Sequence, residues 1–213
     1  RRAFAGNPRS KLMQRLDMKP HLLRLIIAFC AAALFLQPAH AIDIKEVTSA
    51  GGIKAWLVES NTIPLIAMDY SFEGGATSDP AGKEGTANFI TGMMDEGAGI
   101  MTGEEFQAKR DELAIKISFD SGSDTFEGAL QTLSKNKDAA FSLLKTALTS
   151  PHFDSDAMER VRQQFLAAAR DQEQDPDHIA SAAWMNLAMP GQLYALASNG
   201  TSASIANITT NDL

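Results

Sequence analysis

Cysteine and histidine, two of the side chains that proteins use most to bind transition metals, are scarce in this sequence. The 213 residues include one cysteine and four histidines. Cys30 lies in an apolar N-terminal segment, so the remainder of the chain has neither a disulfide nor a cysteine nucleophile. His152 and His178 are the only histidines beyond residue 41, and each is predicted in a loop or at the start of a helix. Their positions do not match the spacing of a pair of metal ligands.

Long apolar runs are also scarce, and the longest one lies near the N-terminus, where it predicts a secretory leader. We interpret residues 1–17 as an upstream extension and residues 18–41 as a signal peptide. The signal consists of a basic region with Lys19 and Arg24, an apolar core at 22–36 and the cleavage sequence Ala39-His40-Ala41. That core is shorter than the ~20 residues that a membrane-spanning helix needs, although a retained anchor stays an open alternative. The expected product, residues 42–213, is exported to the periplasm or the cell exterior and has no membrane attachment.

Basic residues become scarce once the leader is set aside. Residues 1–41 hold seven of the 19 lysines and arginines and one of the 26 acidic residues, which leaves residues 42–213 with a formal net charge of −13. Such a surface repels phosphate groups, so nucleic acid is not expected as a partner. The charge suits a basic or extended peptide, and the simpler interpretation is an ordinary acidic, soluble surface.

Apolar periodicity along residues 42–213 predicts an α+β fold. Alternating side chains indicate strands, and a repeat of three to four residues indicates helices. The expected strands are 43–49, 53–58, 65–72, 115–120 and 125–133, and the expected helices lie within 85–99, 102–113, 135–150, 154–175 and 177–189. Strands that are adjacent in sequence are joined as hairpins, so we expect a mostly antiparallel sheet. In the strand 65–72, the side with Ile66, Met68, Tyr70 and Phe72 is expected to be buried.

Capping residues set several of these boundaries. Thr102 and Glu105 form a capping-box pattern at the start of one helix, and Ser134 is expected to cap another. A polar loop is expected from Pro190 through Gly200. The sequence at 209–212 is typical of the cap of a further helix, which the sequence does not complete.

The segment 85–99 carries the pattern on which the functional interpretation of the chain depends. Its apolar side chains predict a short amphipathic helix packed against a sheet. They are Ala87, Phe89, Ile90, Met93 and Met94. Upstream, the sequence runs from a strand into a Gly-rich corner at 71–76 and then through a loop at 80–87. This order resembles the entry to the metal site of the pitrilysin/insulinase family of zinc peptidases, in particular its bacterial relatives of the mitochondrial processing peptidase.

The resemblance implies that this chain is a degenerate, non-catalytic homologue. In the family, the helix carries the inverted zinc motif H-x-x-E-H, and a glutamate on a later helix supplies the third protein ligand. The resemblance places the motif positions at Asn88, Thr91 and Gly92, and the distant ligand at Ala168 within 167–169. None of these side chains supplies the imidazoles, the general base or the carboxylate that zinc-dependent hydrolysis needs. The resemblance therefore implies no metal, no cofactor and no catalytic residue.

Two carboxylates near the motif positions leave a substitute site as an alternative. Asp95 and Glu96 follow the helix directly, but with no histidine at ligand spacing we interpret them as ordinary solvated carboxylates. The resemblance also implies the architecture, since the family builds each half as an α/β roll, a mostly antiparallel sheet with helices on one face. We expect one such domain at 42–213, with the sequence ending before a second half.

Three hypotheses about function follow from the resemblance. The first is a non-catalytic subunit that pairs with an active zinc peptidase of the same family and helps enclose and bind peptide substrates. The second is a structural or scaffolding subunit with no role in proteolysis. The third, based on the missing second half, is a partial gene product without a stable fold.

Overall fold

The computed structural model describes residues 42–213, which belong to two units divided after Ser60. The described part of the first unit is an antiparallel hairpin of β1 (Ile44–Thr48) and β2 (Lys54–Val58). Its turn is closed by the Gly52 amide, which donates to the Ser49 carbonyl at 2.9 Å. The predicted pairing of strands 43–49 and 53–58 as a hairpin is therefore confirmed.

The upstream extension at 1–17 and the signal peptide at 18–41 lie outside the residues that the structure describes. Both interpretations therefore stay predictions. Between residues 42 and 213, no helix combines the length and the apolar character needed to cross a membrane.

The second unit is built around a three-stranded antiparallel sheet. Its strands are β3 (Leu65–Glu73), β6 (Lys116–Ser121) and β7 (Thr125–Leu133), with β7 in the centre of the order β3-β7-β6. In β3 the side chains of Ile66, Met68 and Tyr70 are partly buried, as the alternation predicted, whereas Phe72 is half exposed. Burial raises the pKa of Tyr70 to about 12.

A second, very short hairpin was not predicted from the sequence. It pairs β4 (Gly97–Ala98) with β5 (Met101–Thr102), and Ala98 forms an antiparallel bridge with Pro151. Across that contact the Gly99 amide donates to the Ser150 carbonyl at 2.8 Å, and the His152 amide donates to the Gly97 carbonyl at 2.9 Å. These bonds join segments distant in sequence, which explains why local patterns gave no signal for them.

Six α-helices lie in the part of the chain that the structure describes. They are α1 (Thr86–Met93), α2 (Gly103–Glu112), α3 (Lys137–Thr149), α4 (Ser155–Gln174), α5 (Pro176–Ala188) and α6 (Ser202–Asn207). The predicted capping box of α2 is present, because the Thr102 side chain accepts from the Glu105 amide and the Glu105 carboxylate accepts from the Thr102 amide. The α+β class of the fold, with its mostly antiparallel strands, is confirmed.

Two helix assignments differ from the sequence-based expectation. Ser134 does not cap α3 but begins a 3-10 turn, Ser134–Asn136, and the helix starts after it at Lys137. The Asn136 side chain, in the N-cap position, does not cap the helix and instead donates to the Leu113 carbonyl at 2.6 Å. Helix α6 was missed altogether, although Thr201 and Ser204 form a reciprocal cap at its start.

Two clusters of buried side chains make up the core of the second unit. One lies between the sheet and helices α2 and α3, and it includes Phe106, Ile117, Leu130 and Leu144. The other lies among α1, α4 and α6, and its fully buried members include Phe89, Met93, Val161, Ile205 and Ile208. Helix α1 therefore contacts β6, as expected, but its two most buried side chains pack among helices.

Candidate functional site

A cavity of about 360 Å³ lies beside α1 and α4 in the second unit. It is lined by Asn88, Gln164, Phe165, Ala168, Ala169, Gln172 and Asn199. Two of the four positions singled out in the sequence, Asn88 and Ala168, thus meet at one cavity although they lie on different helices. Thr91 and Gly92 are not among the lining residues.

The start of α1 is set by a carboxylate from the preceding loop. Gly85, in the N-cap position, has a φ of 93° and no side chain with which to cap the helix. Asp79 replaces that cap, because its Oδ2 accepts the Gly85 N–H at 2.7 Å and its Oδ1 accepts the Ala87 N–H at 2.8 Å. Burial raises the pKa of Asp79, and the backbone N–H groups that it accepts oppose this rise. The same bonds fix the helix that carries Asn88.

Asn199 is brought to the cavity by a close crossing of two backbone segments. An added Cβ at Gly85 would lie 2.7 Å from the Gly200 Cα, and one at Gly200 would lie 2.5 Å from the Glu84 carbonyl oxygen. Both glycines have positive φ, so any side chain would be strained there as well as crowded. The Ser204 hydroxyl fastens the crossing by donating to the Glu84 carbonyl at 2.8 Å.

Thr91 and Gly92 lie on α1, and Gly92 faces Phe165, one of the residues that line the cavity. The Thr91 hydroxyl donates to the Asn88 carbonyl at 2.7 Å. At Gly92 an added Cβ would lie 2.8 Å from Cε2 of Phe165 and 3.1 Å from Cγ1 of Val161. A larger side chain at this position, including an imidazole, could not be placed without moving the Phe165 ring.

Four neutral carboxamides dominate the polar lining of the cavity: Asn88, Gln164, Gln172 and Asn199. Within residues 42–213, none of these four side chains makes a hydrogen bond to the protein. Each carboxamide offers one acceptor oxygen and two N–H donors and carries no charge at any ordinary pH. The cavity can therefore form hydrogen bonds with a ligand, but no ionisable group lines it that could exchange protons or bind a cation strongly.

Sequence reasoning missed three of these carboxamides. Gln164 and Gln172 lie about one turn before and one turn after Ala168 on α4, at i−4 and i+4. The three residues therefore share one face of the helix. That spacing was visible in the sequence. The pocket, however, forms only where α1 packs beside α4, and the sequence of α4 alone does not reveal that packing.

The carboxylates considered for a substitute metal site are held by cationic or amide partners. Asp95 Oδ2 accepts from Gln107 Nε2 at 2.9 Å and from Arg110 Nη1 at 3.1 Å. Glu96 forms an ion pair with Arg160 on α4. His152 Nε2 lies 2.7 Å from the Gly99 carbonyl oxygen, at the small hairpin. Over the described range 42–213, no three histidine, cysteine or acidic side chains are grouped so that they could hold a metal ion.

No family model matches the chain. It is 27% identical over 196 residues to the "Non-peptidase homolog YmxG" of Helicobacter pylori, a match that covers 92% of this chain and 44% of the relative. The crystal structure of a peptidase M16 inactive domain from Pseudomonas fluorescens matches with a TM-score of 0.75 and 25% identity, over 80% of this chain and 42% of that one. The chain resembles a non-catalytic M16 domain.

This finding confirms the resemblance to the pitrilysin/insulinase family, whose peptidases form the M16 group. A protease from Helicobacter pylori shares the M16-like fold, with a TM-score of 0.71 over 81% of this chain at 19% identity. The names of the curated relative and of the Pseudomonas fluorescens domain support a non-catalytic status for this chain. The chain spans less than half the length of each of these relatives.

Proposed function

We propose that this M16-like chain is a non-catalytic subunit that pairs with an active zinc metallopeptidase of the same family and helps enclose and bind peptide substrates. The observation that carries the proposal is the cavity at Asn88 and Ala168. The family resemblance assigns metal ligands to both positions, whereas here they belong to a pocket that offers neutral hydrogen-bonding groups. A pocket of this kind holds a substrate without activating water.

The proposal includes the loss of the zinc motif at four positions. A carboxamide at Asn88 is a poor zinc ligand, and the Thr91 hydroxyl does not take a proton from water near neutral pH. Gly92 and Ala168 provide no ligand atoms. The crowding of Gly92 by Phe165 supports this part of the proposal, because it leaves no space for an imidazole.

A free sheet edge supports the binding of extended peptides. Among the described strands, β6 pairs only with β7, so its other side is an edge of the sheet. Extended peptides can add to such an edge through main-chain hydrogen bonds. The net charge of −13 over residues 42–213 favours the approach of basic peptides.

Co-expression with an M16 relative from the same organism that retains H-x-x-E-H tests the pairing. We expect the two chains to co-purify and peptide hydrolysis to appear, or to increase strongly, only when both are present. Co-purification without any gain in activity would overturn the proposal in favour of a scaffolding role. Full activity of the relative alone, with no association, would overturn both roles.

We further propose that the subunit acts outside the cytoplasm. The support is the leader at residues 18–41, whose cleavage after Ala41 would make Ile42 the first residue. N-terminal sequencing of the protein recovered from the periplasm or the medium is expected to begin at Ile42. Recovery of an uncleaved chain from the membrane fraction would support the retained anchor instead.

A further inference from the structure

We propose that the cavity beside α1 and α4 binds the main chain of a short, uncharged peptide segment without a metal ion. We call it the carboxamide pocket, after Asn88, Gln164, Gln172 and Asn199. The inference rests on the proposed function and deepens it, because it names the site and the chemistry by which a peptide is held. It also differs from recognition by the acidic surface, which would select basic side chains.

The hydrogen-bonding capacity of the pocket matches that of a peptide group. A carboxamide presents a carbonyl oxygen beside N–H donors, and a main-chain peptide unit presents one acceptor and one donor. In the described structure the four side chains have no protein partners, so their hydrogen bonds are open to solvent or ligand. Exchange of water for a peptide at such groups has a modest net gain per bond, and several convergent bonds give specificity.

The charge of the lining selects a neutral ligand. No ionised side chain is among the seven lining residues. Two charged side chains on α4 are engaged elsewhere: Arg162 donates to the Ile205 and Ile208 carbonyls at 2.6 and 2.9 Å, and Glu173 accepts from the Ser202 amide at 2.7 Å. A charged ligand would therefore find no counter-charge among the residues that line the pocket.

The apolar part of the lining sets the size and character of the segment. Phe165, Ala168 and Ala169 form a hydrocarbon wall against which a small aliphatic side chain can pack. The Phe165 ring also packs against the Phe89 ring, with centroids 5.4 Å apart. The volume of about 360 Å³ is near the lower end of the roughly 300–1,000 Å³ typical of ligand pockets, so the pocket suits a short segment.

An uncharged pentapeptide provides the test. The probe has four alanines and a central leucine, with an acetylated N-terminus and an amidated C-terminus, and its binding to the purified chain is measured by ligand-observed NMR titration. We expect saturable binding in the presence of EDTA, with an affinity that changes by less than about twofold between low and high salt, because no ion pair is formed. A second probe has lysine in place of the leucine. At high salt we expect this lysine probe to bind more weakly than the leucine probe.

Variants on α1 and α4 separate the effect of the pocket from that of the rest of α4. Gln172→Ala and Asn88→Ala are each expected to weaken probe binding about three- to tenfold, the effect of one neutral hydrogen bond. Gln163→Ala is the matched control, since Gln163 is adjacent to Gln164 but its Nε2 donates to Glu159 Oε1 at 2.6 Å and it does not line the pocket. It is expected to bind the probe as the unchanged chain does, and circular dichroism verifies the fold of all three variants.

Several outcomes would overturn the inference. They are the absence of saturable binding, equal weakening by Gln163→Ala, or binding that requires the lysine probe and disappears at high salt. The same variants are tested for pairing with the active relative, which separates this inference from the proposed function. Pairing and activity gain without probe binding would reject the pocket alone, whereas probe binding without pairing would reject the subunit role alone.

Discussion

The ring of Phe165 on α4 packs directly against Gly92 on α1, so that a Cβ added at Gly92 would lie 2.8 Å from the ring. The contact joins the position that the family resemblance assigns to an imidazole with a residue of the carboxamide pocket. The absence of a side chain at one position thus determines where the aromatic wall of the pocket lies at the other.

Gly92→Ala is expected to destabilise the chain despite the better helix propensity of alanine. The propensity gain is about 1 kcal/mol, whereas forcing an extra methyl group into a packed site costs typically about 1–3 kcal/mol. We expect a net loss of about 1 kcal/mol in the free energy of unfolding, measured by urea denaturation. In a Phe165→Ala background the same change is expected to be neutral or stabilising. Equal effects in the two backgrounds would show that the ring is not the obstacle.

Asp79→Ala is expected to lower the free energy of unfolding by about 1–2 kcal/mol, the usual cost of losing a helix N-cap. The amides of Gly85 and Ala87 would lose the acceptors that Asp79 provides. Asp79→Asn retains one carbonyl acceptor and is expected to cost less. Chemical denaturation of the three proteins checks this order. A loss as large for asparagine as for alanine would show that charge, and not hydrogen bonding, is the main contribution.

Asp212 is expected to make stability depend on pH in the acid range. Hydrogen bonds from Lys83 and Thr209 lower the pKa of Asp212 to about 2, with Lys83 the largest cause. The pKa of an unfolded aspartate is about 3.9, so the unfolded chain binds the proton first as the pH falls. The stabilisation is therefore complete above about pH 4 and is lost as the pH falls through about 2.

Comparison with Asp212→Asn isolates that contribution. The difference in unfolding free energy between the two proteins is expected to be present at pH 5 and to shrink toward pH 2, by urea denaturation at each pH. Lys83→Met removes the ammonium whose Nζ lies 2.6 Å from Asp212 Oδ2, and it is expected to reduce the same pH dependence. A difference that stays constant from pH 5 to pH 2 would contradict the assignment.

Metal removal is expected to leave the protein unchanged. The purified chain should contain far less than one zinc per molecule, and EDTA should not shift its melting temperature, because the proposed motif positions lack ligands. Zinc near one per chain that is lost on Glu96→Ala would contradict this expectation. Arg160→Ala is the control, because it breaks the ion pair with Glu96 while leaving the carboxylate in place.

The elements that the sequence predicted well are those whose signals are local. The alternation in β3 identified Ile66, Met68 and Tyr70 as the inner side chains, because a strand exposes and buries successive residues regardless of its partners. The capping box at Thr102 was equally local. Helix α6 escaped notice because it is only six residues long and is stabilised by the burial of Ile205 and Ile208 against distant helices.

The residues of the candidate site likewise divide into those with a local sequence signal and those that depend on packing between distant elements. Asn88 and Ala168 were singled out together only through a family resemblance, since nothing in either helix indicates the other. The carboxamides on α4 were visible as a helical stripe, but their convergence with Asn88 depends on the packing of α4 against α1. Asn199 depends in addition on the backbone crossing at Gly200, which leaves no pattern of apolar residues in the sequence.

The contact between Gly85 and Gly200 has a consequence for local opening. Side chains can rotate out of a contact, but two crossing backbones separate only if one whole segment moves. We therefore expect α1 and α6 to unfold locally as a single cooperative unit. The amides of Phe89 and Ile205, each bonded within the first turn of its helix, should then show similar protection in native-state hydrogen exchange. Helix α5, which has no buried residue, should exchange faster and independently of both.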